Sequence, residues 1–140
     1  CSSDLISLKS FIADFINFST SMFNDDDQNV SFKTDIEDIE LNITKSITLG
    51  LIISEIVTNS IKYAFAEIEN PEIRINIFKK FEKLVIIIKD NGCGVDENIL
   101  QNKDNSLGFK LMSIFTRQLE ADFEIANKNG LEYRISFDLI

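Results

Sequence analysis

The chain has 140 residues, 44% of them hydrophobic and 26% charged, which suits one soluble globular domain with a substantial core. Its formal net charge of −9 argues against nucleic acid as the main partner, since phosphate backbones need a basic face, but leaves room for a nucleotide held by a local patch and a metal. With no histidine, the chain excludes a Ser-His-Asp triad, a His-ligated zinc site and phosphorylation of its own histidine.

No apolar run approaches membrane-spanning length, and no signal peptide is visible. Cys1 and Cys93 lack metal-site spacing and read as reduced thiols rather than a bridge. Beginning at Cys1 rather than Met, the chain reads as a fragment of a longer protein.

Residues 4–23 carry Leu5, Leu8, Phe11, Ile12, Phe15, Ile16, Phe18, Met22 and Phe23 at helical spacing, with Ser2 or Ser3 as the cap. Residues 24–29 form an acidic turn. Asp25, Asp26 and Asp27 are contiguous rather than alternating, so this is not a calcium loop. Residues 30–36 alternate and predict a strand, and 37–42 an acidic connection.

A long central helix follows, capped by Thr44 and running to about Ala64. Its stretch 49–65, LGLIISEIVTNSIKYAF, is apolar on most faces, as for a helix buried nearly all round. Glu55, Asn59 and Lys62 interrupt it at spacings of four and three, which puts them on one helical line. Charges in a buried helix are costly unless paired, so the line either faces a site or holds a structural Glu–Lys pair.

Asn70-Pro71 marks a turn. Residues 72–78 alternate, 79–83 are a charged turn and 84–89 are rich in Val and Ile, which predicts an antiparallel hairpin with the second strand the more buried. Asp90-Asn-Gly-Cys-Gly94 comes next, then a polar loop over 95–105. Residues 107–119 predict a helix with Leu107, Leu111, Ile114, Phe115 and Gln118 inward. Two further alternating strands, 121–126 and 132–139, are joined by a turn at 127–130. Hairpin-linked strands with helices elsewhere predict an α+β fold, a two-layer α/β sandwich whose mostly antiparallel sheet carries its helices on one face. A pocket is expected where loops meet helix ends.

Three pieces carry the chemistry: Glu55-x-x-x-Asn59-x-x-Lys62-Tyr63, Asp90-x-Gly92-x-Gly94, and Ser106-Leu107-Gly108 at a helix start. Singly, the last two read as an ordinary turn and an ordinary cap. In this order they resemble the N, G1 and G2 boxes of the GHKL ATPases, most closely the catalytic domain of sensor histidine kinases, and within these the HisKA_2-like group. Nearly the whole chain is covered, with 95–105 in the place of the ATP lid.

There are departures. Ser106 replaces the first glycine of the G2 box, Tyr63 stands where that group often has His, and Gly130-Leu131 replaces a usual Gly-Thr near the adenine.

The resemblance implies the Bergerat fold, with a mixed sheet. It also implies Mg-ATP as ligand, a cytoplasmic location, and transfer of the γ-phosphoryl to a histidine on a separate dimerisation domain, with a response regulator downstream. No nucleic acid and no direct membrane contact are implied. A serine kinase of the anti-sigma-factor type and a non-catalytic nucleotide-sensing module are the other readings of the same motifs.

On the implied site, Asn59 supplies a carbonyl oxygen to magnesium. Glu55 takes or positions the nucleophile's proton. Lys62 contacts phosphate, Tyr63 stacks on the base, and Asp90 accepts from the adenine amine. Gly92 and Gly94 allow close backbone approach. Ser106, Leu107, Gly108 and Lys110 form the phosphate side at a helix N-terminus.

Overall fold

A computed structural model of the chain describes residues 4–23, 30–65, 68–94 and 107–139. In chain order the elements are β1 (Leu5–Ser7), α1 (Leu8–Phe23), β2 (Ser31–Ile36), β3 (Glu40–Asn42) and α2 (Ile43–Asn59), which continues as a π-helical turn (Ser60–Ala64). After these come β4 (Glu72–Lys80), β5 (Lys83–Asp90), α3 (Leu107–Gln118), β6 (Asp122–Asn127) and β7 (Leu131–Asp138).

Five strands form one sheet in the order β2-β4-β5-β7-β6. Its pairs are antiparallel except β2–β4, whose parallel register (Phe32 opposite Ile73, Ile36 opposite Ile77) follows from the α2 crossover between them. The sheet is therefore mixed and mostly antiparallel, as the sequence predicts.

Strand alternation decides which side is covered. Ile73, Ile75 and Ile77 of β4, Ile86 and Ile88 of β5, and Tyr133, Ile135 and Phe137 of β7 are buried, while Arg74, Asn76 and Arg134 between them are exposed. The helices close that one face: Leu8 and Ile12 of α1, Ile52, Ile53 and Ile56 of α2 and Met112 of α3 join the strand residues in one apolar cluster. Helices α1 and α2 pack closely at Gly50, where an added Cβ would lie 3.1 Å from the Phe11 ring. Buried hydroxyls on α2 serve their own helix, Ser46 Oγ donating to the Asn42 carbonyl (2.9 Å) and Thr48 Oγ1 to that of Thr44 (3.0 Å).

Several boundaries differ from the sequence-based expectation. The first helix starts at Leu8, and Ser7 caps it by accepting from the Ser10 amide at 3.3 Å. Leu5–Ser7 instead pairs antiparallel with Glu40–Asn42, a segment that reads from sequence as mere connection. Three-residue strands are too short to show a period, and this pair joins distant parts of the chain. Asn42 rather than Thr44 caps α2, its side chain accepting from the Lys45 amide at 2.8 Å.

Helix α3 keeps Phe115 against the core as expected, but the rest of its inner side is shifted from the expected phase. Ile114 is 50% exposed and Gln118 is exposed, while Met112, Thr116 and Leu119 point inward. Thr116 is accommodated because its hydroxyl donates to the Met112 carbonyl (2.5 Å). The β4–β5 turn is tighter than expected: Lys79, Lys80 and Lys83 belong to the strands, and only Phe81 and Glu82 turn. Among the described residues no helix is long and apolar enough to cross a membrane.

Candidate functional site

Four pieces of chain meet at one end of the sandwich: the C-terminal end of α2 with its π-helical turn, the end of β5, the first turn of α3 and the β6–β7 turn. Glu55 and Asn59, one helical turn apart, lie on one face of α2. Both are half-buried, and neither side chain has a hydrogen-bond or ion-pair partner among the described residues. Gly108 of α3 stands against them. A Cβ there would lie 3.1 Å from Glu55 Oε2 and 3.7 and 3.8 Å from the Asn59 amide atoms, so glycine lets α3 approach without filling the space before the two polar groups.

Lys62 is exposed and sits in the π-helical turn. The i→i+5 winding of that turn carries Lys62 off the line it would share with Glu55 on a regular α-helix. Glu55 and Lys62 do not pair, so the structural ion pair that the spacing allowed is not formed. Tyr63 belongs to the same turn, but its side chain lies outside the described residues. The same is true of the Leu107 side chain, of Ser106, and of 95–105. Lys110 is exposed on the first turn of α3.

Asp90 is the opposite case. It closes β5 and is only 2% exposed. Its Oδ1 accepts from the main-chain amides of Gly92 and Leu131, both at 3.0 Å, and its Oδ2 accepts from Ser60 Oγ at 2.9 Å. A buried carboxylate is tolerable only with such donors. The β6–β7 turn is built onto it: Gly130 has φ +124°, and a Cβ there would meet the Asp90 carbonyl oxygen at 2.1 Å, so no other residue fits. Nearby, the Gly94 backbone lies against Asn127, whose Oδ1 a Cβ would meet at 2.7 Å. Tyr133 also senses the group: burial first, then the Asp90 charge, push its hydroxyl above the ordinary tyrosine range.

The structure thus brings Glu55, Asn59 and Gly108 together, and places Asp90, Gly92 and Gly94 beside them across the Ser60 link. Ser60 has no counterpart in the motif reading, and Leu131 enters it only as a departure from the usual Gly-Thr. Ser60 is a small polar residue directly after Asn59 in an otherwise apolar helix, which is the only sequence signal it offers. Leu131 acts through its backbone amide, so its side-chain identity conceals the contact. A separate cavity of about 510 Å³, lined by Glu37, Asp38, Glu40, Lys45 and Lys79 among others, lies at the far end, near the start of α2.

A sequence profile for histidine kinase-, DNA gyrase B- and HSP90-like ATPases matches residues 44–139, which span α2, the Asp90 loop and α3. The chain belongs to this ATPase family. Among solved structures, the histidine kinase domain from the Erythrobacter litoralis EL346 blue-light activated histidine kinase superposes with a TM-score of 0.87 at 16% identity, over 99% of this chain and 64% of that one. The Acinetobacter baumannii histidine kinase AdeS gives 0.77 at 13% identity, over 96% of this chain and 66% of that one. The mycobacterial sensor histidine kinase MprB gives 0.74 at 12% identity, over 96% and 95%. The chain therefore spans just under two thirds of the first two neighbours. At these identities the likeness is one of fold: a histidine kinase-like ATPase domain with the two-layer α+β architecture. No curated protein matches the sequence.

Proposed function

We propose that this ATPase-family domain is the ATP-binding catalytic domain of a two-component sensor histidine kinase of the HisKA_2-like group, one domain of a longer cytoplasmic-facing protein. On this reading it binds ATP with magnesium and passes the γ-phosphoryl to a histidine on a separate dimerisation domain, which then serves a response regulator. Neither nucleic acid nor direct membrane contact enters its work.

The observation that carries the reading is the pair Glu55 and Asn59. Half-buried polar groups without partners among the described residues, kept uncovered by Gly108, fit a charged ligand and its cation better than they fit a core. Asn59 offers the neutral oxygen of its amide to magnesium, an ion usually held by few side chains together with phosphate oxygens and water. When bound, the metal offsets charge on the transferring phosphoryl group. Glu55, one turn earlier, positions the nucleophilic imidazole and accepts its proton. Lys62 and Lys110 are exposed cations that steer phosphate, and Ser106, Leu107 and Gly108 present the N-terminus of α3 to it. Asp90 accepts from the adenine amine, Gly92 and Gly94 keep the base side open, and Tyr63 stacks on the base.

Phosphoryl transfer is mostly the positioning of two partners, and the acceptor histidine is not in this chain. The expected result is measurable ATP binding by calorimetry with magnesium, very slow phosphate release, and labelling of a histidine-bearing dimerisation domain when one is supplied. Rapid hydrolysis by the domain alone would point to a different member of the ATPase family.

A further inference from the structure

We infer that Ser60 is a specificity-determining positioning residue, which aims the last free acceptor site of Asp90 at the exocyclic amine of a 6-aminopurine. The inference rests on the reading of Asp90 as the adenine acceptor and adds a residue to it.

A carboxylate has about four acceptor sites, two on each oxygen. The Gly92 and Leu131 amides use both sites of Oδ1, at 3.0 Å each. The Ser60 hydroxyl uses one site of Oδ2, at 2.9 Å. Among the described residues one site remains unfilled, on Oδ2, and its direction is set by where Ser60 holds the other. The group that fills it must be a donor, which selects an amine over a carbonyl. Ser60 itself is 3% exposed, so water does not readily replace it.

Its placement is a product of the backbone. Ser60 opens the π-helical turn immediately after Asn59, the last residue of the α-helical part. Such turns are frequent where a helix re-aims a side chain at a site. Here one residue step separates a side chain on the phosphate side from one on the base side.

The test is a two-by-two comparison on the full 140-residue chain with magnesium. ATP and purine riboside triphosphate, which lacks the 6-amine, are titrated into wild type and Ser60→Ala. Wild type is expected to prefer ATP about 10-fold or more, the range of one hydrogen bond to a charged group. In Ser60→Ala that preference should fall to about 3-fold or less, with affinity for the deaminated nucleotide unchanged, and Ser60→Thr should restore it. If Ser60→Ala does not fold, Ser60→Cys keeps the volume with a weak donor, and the same loss of preference is expected. Equal weakening of both nucleotides by the variant overturns the inference and leaves Ser60 a structural residue. No preference in wild type overturns the adenine reading of Asp90 itself, and the inference with it.

Discussion

Glu55 and Asp90 are two carboxylates at the same end of one small domain, and they are treated in opposite ways. Asp90 is sealed in and holds three hydrogen bonds, two from backbone amides. Glu55 is half-buried with no partner among the described residues. The first arrangement preorganises a charge so that its direction is fixed before anything binds. The second leaves a charge uncommitted, to be satisfied by what arrives. A site that reads a rigid flat base and also handles moving phosphate and proton benefits from having one of each.

The largest expected effect belongs to the uncommitted carboxylate. Glu55→Gln should depress transfer to a supplied histidine-bearing domain by about 10²–10⁴ while leaving ATP affinity nearly intact, if Glu55 acts as the base. Radiolabel transfer and calorimetry on the same preparation check both halves. A variant that only melts earlier, and transfers normally, would return Glu55 to a structural role and erase the contrast.

Next comes Asp90→Asn, which should weaken ATP binding about 10- to 100-fold and shrink the preference for ATP over GTP. Stability should change far less. Asparagine keeps one oxygen for the two amides, and the Ser60 hydroxyl can turn to accept from the new amide nitrogen. Paired ATP and GTP titrations, together with denaturant unfolding, separate the two effects. Equal affinity of wild type for both nucleotides would end the base-reading role.

Asn59→Ala should cost less affinity but change its character, removing most of the dependence of ATP binding on magnesium. Titrations with magnesium and with a chelator measure this directly. An unchanged magnesium dependence would move the cation elsewhere.

The smallest effect lies on the Asp90 side, in alkali. Tyr133 holds its proton in the folded state beyond the ordinary tyrosine value of about 10, because of burial and then the Asp90 charge. The unfolded chain loses that proton first. The stability this provides is therefore complete below about pH 10 and falls as pH rises above it, by up to about 1.4 kcal/mol per pH unit. Denaturant unfolding at pH 8 to 11 should show the decline, and Tyr133→Phe should flatten it.

Much of this was legible along the chain. Period-2 alternation in β4, β6 and β7 set their inward faces, the Val- and Ile-rich run marked β5 as the more buried strand, and the apolar run around Glu55 identified α2. Glu55, Asn59, Asp90, Gly92, Gly94 and Gly108 stood out as polar or glycine positions breaking those patterns. Less legible was the phase of α3, where Gly108 and Thr116 on the inner side hide the stripe that Met112 and Leu119 complete. The β1–β3 ribbon was invisible because its strands are only three residues each.

Local regularities repeat every two or every 3.6 residues, so a single stretch of sequence determined the elements, the covered face of the sheet and the polar breaks in α2. The partners of those breaks are set by contacts between residues far apart in the chain. Ser60 reaches Asp90 across 30 residues and the Leu131 amide reaches it across 41. Only packing α2, β5 and the β6–β7 turn around one core could decide that Asp90 would be held by three donors and Glu55 left without a partner among the described residues, because hydrogen-bond satisfaction belongs to the assembled neighbourhood and not to any segment of it.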